Sequence, residues 1–142
     1  MAATIELFLI RHAIAAERGP HYPDDSKRPL TTEGIARFKR SVEGLKDLDV
    51  TIDLVLSSPL TRATHTAELL VAGVAGKPRT EVLEALAPGG RVAQVLEAIT
   101  KYSKRAKHIA LVGHEPDLGE LAARLLRAHD GTAERNCPTV TK

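Results

Sequence analysis

Short apolar runs alternate with amphipathic stretches along this chain. The runs have the length of buried strands and lie at residues 5–10, 53–57, 80–83 and 108–112, of which 80–83 is the weakest. Apolar residues recur at helical spacing within residues 33–46, 59–73, 92–102 and 115–127. Because strands and helices alternate, the pattern predicts an α/β fold, with helices on both faces of a mostly parallel central sheet.

Polar residues mark where the predicted helices begin. Thr31 or Thr32 can cap the first helix. Ser58 followed by Pro59 is typical of a helix cap with proline at the first helical position, so we expect the second helix to begin there. After the last helix the sequence is polar and has no strand pattern. We therefore expect a domain at residues 1–127 and an atypical polar tail at residues 128–142 that is a candidate for disorder.

Composition and charge exclude several classes of protein. A chain of 142 residues fits one globular domain. The net charge of +2 and the absence of Trp argue against binding to nucleic acid or to an anionic membrane. The first apolar run is too short for a membrane span, and we expect a cytoplasmic location. The single cysteine, Cys137, excludes an internal disulfide and a cysteine zinc cluster.

Basic side chains follow three of the predicted strands. Arg11 and His12 follow the first strand, and His114 follows the strand at 108–112. Arg62 lies in the first turn of the helix that follows the strand at 53–57. Ligands of parallel sheets bind beyond the carboxyl ends of the strands, so we expect these four side chains to share one crevice. Guanidinium and imidazole groups beside helix amino termini suit a dianion such as phosphate. Each residue alone has a structural alternative, as a solvated or capping side chain.

A long polar loop connects the first strand to the first helix. Loops as long as residues 13–31 are more often functional than incidental. Arg28 on this loop is a candidate for contact with the same phosphate or with a neighbouring group of the substrate. Asp24 and Asp25 are expected to be solvated.

Four ordered motifs resemble the histidine phosphatase superfamily, and most of all its SixA-type phosphohistidine phosphatase branch. The motifs are Arg11-His12-Ala13, Arg28-Pro29-Leu30-Thr31, Ser57-Ser58-Pro59 with Arg62-Ala63-Thr64, and Val112-Gly113-His114-Glu115-Pro116. The resemblance covers about residues 5–127. It implies a three-layer α/β/α sandwich of the phosphoglycerate mutase-like type, in which His12 is the nucleophile and forms a transient phosphohistidine.

The resemblance also implies roles for the other basic residues. Arg11 and Arg62 would bind the phosphoryl oxygens and disfavour the charged form of the nucleophile, while His114 would donate a hydrogen bond to the phosphoryl group. Arg28 is expected to bind substrate, and no metal or cofactor is implied. The candidates for a general acid are Glu84 and Glu81. A phosphohistidine depends less on a general acid than a phosphate ester does, because its P–N bond is labile.

The sequence departs from the family in two places. Ala13 stands where the family usually has glycine, which is harmless only if the backbone there has a negative φ. Relatives usually continue past the last helix into a further strand, so we expect an exposed sheet edge and a monomer or weak dimer.

The predicted function is a phosphatase that acts on phosphohistidine in a phosphorylated protein. One alternative is a small-molecule phosphomonoesterase acting on a sugar phosphate or nucleotide. Another is a non-catalytic phosphate-binding module.

Overall fold

The computed structural model describes residues 4–136, with side chains as far as residue 127. Strands and helices alternate throughout this part of the chain. In order they are β1 (Glu6–Arg11), α1 (Thr32–Asp47), β2 (Leu54–Ser57), α2 (Thr61–Gly73), β3 (Arg79–Val82), α3 (Val92–Tyr102), β4 (His108–Gly113) and α4 (Asp117–Asn136). None of these helices is long and apolar enough to cross a membrane.

The described strands form one parallel sheet in the order β1-β4-β2-β3. Arg11 at the end of β1 lies beside Gly113 at the end of β4, and Ser57 at the end of β2 lies beside Val112. The carboxyl ends of β1, β4 and β2 are therefore neighbours. This confirms the parallel arrangement that the sequence predicted.

The two faces of the sheet bury separate apolar clusters. Val55 and Ala110 belong to the cluster covered by α1 and α2. Leu56 and Leu111, the next residues along the same strands, belong to the cluster covered by α3 and α4. Because successive strand residues point to opposite faces, both strands are apolar over consecutive positions, Leu54 to Leu56 in β2 and Ile109 to Val112 in β4. The result is the predicted α/β/α sandwich.

The helix boundaries agree with the sequence at α1 and α3 but not at α2. Thr31 caps α1, since its hydroxyl accepts the Gly34 N–H at 2.9 Å. The prediction that α2 begins at Ser58 and Pro59 was wrong, because α2 begins at Thr61. The Ser58 hydroxyl instead accepts the Leu60 N–H, at 3.2 Å, in the turn before the helix.

β1 and α4 also differ from expectation. β1 was expected to be a buried strand, but its residues from Leu7 to Ile10 are only half-buried, because β1 lies at the edge of the described sheet. The backbone of α4 stays helical to Asn136, past the predicted domain end at residue 127. The division into a domain at residues 1–127 and a tail at residues 128–142 stays a prediction. Residues 137–142, including Cys137, lie outside the described part of the chain.

Candidate active site

The buried polar side chains of the described residues lie at one edge of the sheet. They follow the carboxyl ends of β2 and β4 or reach that edge from the loop after β1, and they are Arg28, Ser57, Ser58, Arg62, Thr66 and His114. Burying polar groups is costly unless they are hydrogen-bonded. Their concentration here indicates a site rather than a packing requirement.

A cavity of about 580 Å³ opens at this edge. Its lining brings together all five basic residues singled out from the sequence: Arg11, His12, Arg28, Arg62 and His114. Two further arginines, Arg18 and Arg37, also line it. The cavity is thus strongly cationic and suits an anionic ligand.

His12 is held by its own backbone and by the next residue. Its N–H donates to the Gly113 carbonyl at 3.0 Å, which continues the pairing of β1 with β4. Its Nδ1 lies 2.7 Å from the Ala13 carbonyl oxygen. A carbonyl only accepts, so Nδ1 carries a hydrogen and, in the neutral ring, Nε2 carries the lone pair. Burial and the charges of Arg62 and Arg11 lower the pKa of His12, against the opposing effect of the bond to Ala13.

His114 faces His12 across the cavity and is buried. The ring centroids are 5.1 Å apart, with the planes tilted by 55°. Burial, with the nearby charge of Arg62, lowers the pKa of His114 to about 4, so its ring is neutral at pH 7. Its Nε2 is 2.7 Å from the Ser58 hydroxyl oxygen. Its Nδ1 is buried and has no partner among the described residues.

The hydroxyl of Ser58 can donate to Nε2 of His114 or accept from it, so this contact is compatible with either neutral tautomer of the ring. This oxygen already accepts the Leu60 N–H. When it donates its own hydrogen to Nε2 of His114, the ring hydrogen lies on Nδ1. In that tautomer Nδ1 of His114 is a buried donor without a partner among the described residues.

Arg62 enters the site from the first turn of α2 and is only 2% exposed. Its Nη1 donates to the Asp25 carbonyl at 2.8 Å, and its Nη2 donates to the Asp25 carboxylate at 3.1 Å. Its Nε is buried and has no acceptor among the described residues. Arg62 lines the cavity and therefore retains one donor that has no acceptor among the described residues.

Thr66 links α2 to the residue after His12. Its hydroxyl donates to the Arg62 carbonyl at 2.7 Å and accepts the Ala13 N–H at 3.0 Å. Ala13 is not among the residues with positive φ, so the replacement of the family's glycine costs no backbone strain.

The sequence suggested that Asp25 is solvated, but its side chain contacts arginines of the site. Its carboxylate accepts from Arg28 Nε at 2.7 Å and lies 3.4 Å from Arg18 Nε, in addition to its contacts with Arg62. Arg28 also donates to the Ala16 carbonyl at 2.6 Å. The three-residue spacing of Asp25 and Arg28 across a 3-10 turn was a local signal for one of these pairs. The contact with Arg62, 37 residues away, had no such signal.

Carboxylates are sparse among the residues that line the cavity. Glu84 and Glu81, the two candidates for a general acid, do not line it. The carboxylate among its lining residues is Glu115, which is exposed. Within the described residues, no group of three or more His, Cys, Asp and Glu side chains is arranged to hold a metal ion.

Comparison with known families assigns the chain to a superfamily. The model of the histidine phosphatase superfamily (branch 1) matches residues 7–87. The chain belongs to this superfamily. The matched residues include four of the five basic residues singled out from the sequence, all but His114.

Two curated relatives extend the match beyond this segment. An uncharacterised protein of Picosynechococcus sp. is 39% identical over 128 residues, covering 89% of this chain and 76% of the relative. Phosphohistidine phosphatase SixA of Escherichia coli is 34% identical over 124 residues, covering 85% of this chain and 74% of SixA. The superfamily assignment and the similarity to SixA identify the chain as a phosphatase.

Solved structures agree on the fold. The protein histidine phosphatase SixA, in a complex with tungstate, superposes with a TM-score of 0.75 at 32% identity, covering 84% of this chain and 75% of that one. The α-ribazole phosphatase of Shigella flexneri (TM-score 0.65, 23% identity, 84% and 78% covered) shares the fold. So does phosphoglycerate mutase of Plasmodium falciparum (0.63, 16%, 89% and 71%). The fold is therefore phosphoglycerate mutase-like.

Proposed function

We propose that this phosphatase hydrolyses phosphohistidine in a phosphorylated protein, through a covalent phosphohistidine on His12. The observation that carries the proposal is the hydrogen bond from Nδ1 of His12 to the Ala13 carbonyl, at 2.7 Å. It leaves Nε2 with a free lone pair, and His12 lines a cavity rich in arginine. The similarity to SixA supports the substrate class, and the complex of SixA with tungstate, an oxyanion shaped like phosphate, supports phosphoryl binding by this fold.

In the first step, Nε2 of His12 attacks the phosphorus atom. The new N–P bond forms as the P–N bond to the substrate's imidazole breaks, and that imidazole leaves with the electron pair. The leaving ring is neutral when its other nitrogen carries a hydrogen. A low pKa of His12 favours this step, because only the neutral imidazole is a nucleophile.

The charged residues stabilise the transferring group. Arg11, Arg28 and Arg62 bind the phosphoryl oxygens, and Nε of Arg62 supplies a donor that is already desolvated. Nδ1 of His114 donates a further hydrogen bond without adding a positive charge, since the pKa of His114 is about 4. Phosphoryl transfer needs positioning and charge more than it needs covalent chemistry from the protein.

In the second step, water attacks the phosphorus atom of phosphorylated His12. Its oxygen bonds to phosphorus, the N–P bond breaks, and the electron pair returns to Nε2. Inorganic phosphate leaves, and the proton of the water passes to phosphate or solvent. The site is then in its starting state.

The scarcity of carboxylic acids at the cavity favours phosphohistidine over a phosphate ester. An alkoxide leaving group needs a proton donor. Glu84 and Glu81 do not line the cavity, and Glu115, which does, is exposed. An imidazole leaves more readily. A cavity of about 580 Å³ is nevertheless large enough for a small phosphomonoester, so that substrate class belongs in the test.

Initial rates of phosphate release provide the test. Substrates are a protein bearing phosphohistidine, a protein bearing phosphoserine, a sugar phosphate and a nucleotide. We expect the wild type to act fastest on phosphohistidine. We expect His12→Ala to lose about 10³-fold or more on every substrate, and a variant of the exposed loop residue His21, His21→Ala, to match the wild type.

Other outcomes would show which part of the proposal is wrong. Faster release from the sugar phosphate or nucleotide would show that the substrate is a small phosphomonoester. The proposed role of His12 as the nucleophile would be unaffected. Equal activity of His12→Ala would refute the covalent mechanism. Binding of inorganic phosphate without turnover of any substrate would favour a phosphate-binding module.

The proposal also includes a cytoplasmic location and a monomer or weak dimer. Cell fractionation tests the location. Sedimentation velocity over a range of protein concentrations tests the oligomeric state, and a stable dimer at the lowest concentration would contradict it.

A further inference from the structure

The long loop after β1 places one carboxylate among three arginines. Asp25 contacts Arg18, Arg28 and Arg62, and these three side chains line the cavity. Its neighbour Asp24 differs completely. Oδ1 of Asp24 accepts from the backbone and hydroxyl of Ser26, at 3.0 and 2.6 Å, and lies on an exposed surface. Two adjacent carboxylates thus have separate partners.

The contacts with Asp25 fix the orientation of the Arg62 guanidinium. Nη1 donates to the main-chain oxygen of Asp25 and Nη2 to its carboxylate, at 2.8 and 3.1 Å. Two bonds from different nitrogens to one residue define the plane and the rotation of the guanidinium. The nitrogen left without an acceptor is Nε, which is buried.

Asp25 also fixes Arg28. Arg28 Nε donates to the carboxylate at 2.7 Å, and Nη1 donates to the Ala16 carbonyl at 2.6 Å. Arg28 is a buried side chain on a loop whose ends are joined by the bond from the Ala16 N–H to the Pro29 carbonyl, at 2.8 Å. The loop is therefore held at its base, and Asp25 connects it to α2.

Charge supplies a second reason for a carboxylate at this position. Arg62 is 2% exposed, and two other guanidinium groups lie near it. Burial lowers the pKa of Arg62, and the charge of Asp25 opposes that effect. Hydrogen bonding from Arg28 lowers the pKa of Asp25, so the carboxylate is ionised at neutral pH.

We infer that Asp25 is a positioning residue for phosphoryl transfer, which orients the guanidinium groups of Arg62 and Arg28 toward the phosphoryl oxygens. The inference rests on the proposed role of Arg62 in binding phosphate. Asp25 does not touch the reacting atoms. It acts through the two arginines by fixing their planes and offsetting their repulsion before the substrate binds.

The test compares Asp25→Asn with Asp24→Asn. Asparagine has nearly the shape of aspartate, and the two variants remove one negative charge each from neighbouring positions. The readouts are kcat and KM for p-nitrophenyl phosphate and the inhibition constant of inorganic phosphate. A generic aryl phosphate is used so that the result does not depend on phosphohistidine being the natural substrate.

We expect Asp25→Asn to lower kcat/KM by about tenfold or more, the effect of one charge-assisted hydrogen bond, and to weaken inhibition by phosphate. Asp24→Asn should stay within about twofold of the wild type on both readouts, the range usual for exposed polar substitutions. A merely structural role for Asp25 would lower the free energy of unfolding and leave phosphate inhibition of the folded protein unchanged. Urea denaturation of both variants separates the two cases.

A double substitution tests whether Asp25 acts through Arg62. Arg62→Ala alone should remove most of the activity. Adding Asp25→Asn to Arg62→Ala should then cost far less than it costs the wild type, because the arginine that it orients is gone. Arg28→Ala provides the same test for the other arginine.

The outcomes separate this inference from the proposed function. Full activity of Arg62→Ala would refute the proposed role of Arg62 and the inference with it. A strong loss in Arg62→Ala together with wild-type phosphate inhibition in Asp25→Asn would refute the inference alone. Tighter phosphate inhibition in Asp25→Asn would also refute it, since Asp25 would then compete with phosphate for Arg62.

Discussion

Replacing His114 by glutamine should flatten the dependence of stability on pH. His114 is 4% exposed, and burial lowers its pKa from 6.5 to about 4. A histidine with a lowered pKa binds fewer protons in the folded state than in the unfolded state between these two values. The free energy of unfolding therefore falls as pH decreases through this range. Glutamine does not titrate and makes no such contribution.

The magnitude follows from the two pKa values. For a pKa of 6.5 unfolded and about 4 folded, the contribution of His114 falls by about 2 kcal/mol between pH 7.5 and pH 5. Asp24, Asp25 and Asp53 also have lowered pKa values. Because their lowered values lie below 3.8, their stabilisation is lost at lower pH, and the interval above pH 5 isolates the histidines.

Urea denaturation at several pH values between 7.5 and 5 measures the effect. The wild type should lose stability toward pH 5, and the loss in His114→Gln should be smaller by about 2 kcal/mol. The comparison uses the change with pH, so a constant loss from the missing bond to Ser58 does not affect it. His21→Gln, an exposed loop substitution, should follow the wild type. Equal declines in His114→Gln and the wild type would show that His114 is not held neutral.

Three further predictions concern the surroundings of the nucleophile. Gly34→Ala should destabilise the protein by about 1–3 kcal/mol, because a Cβ there would collide with the backbone of the loop after β1. On the same helix Gly44→Ala, which has open space, should stabilise it by about 0.5–1 kcal/mol; equal effects in urea denaturation would contradict this. Thr66→Val should cost about 1–2 kcal/mol by leaving the Ala13 N–H without its acceptor, and hydrogen exchange at that amide should accelerate; unchanged exchange would contradict the assignment. An NMR titration should give His12 a midpoint below 6.5, with the hydrogen of the neutral ring on Nδ1; a midpoint above 6.5 would contradict the neutral nucleophile.

The sequence predicted the sheet and the meeting of the basic side chains because both depend on local pattern and on topology. β2 is apolar from Leu54 to Leu56 and β4 from Ile109 to Val112. Arg11 ends β1, and His12 and His114 directly follow strand ends. Once the strands are parallel neighbours, these side chains must share an edge. Their chemical roles stay predictions.

The features that the sequence could not predict depend on contacts between distant segments. Ser58 has the pattern of a helix cap, yet its hydroxyl lies 2.7 Å from His114, 56 residues away. Asp25 has the pattern of a solvated loop residue, yet it binds Arg62. The partial exposure of β1 depends on how many strands lie outside it, which hydrophobicity alone does not reveal.

Trapping the covalent intermediate would show whether His12 is the nucleophile. The enzyme is mixed with a substrate carrying a labelled phosphoryl group and quenched in alkali, which preserves phosphohistidine. We expect a label on the wild-type chain that maps to Nε2 of His12, is lost in acid and is absent from His12→Ala. A label on another residue, or a labelled His12→Ala chain that turns over normally, would contradict it.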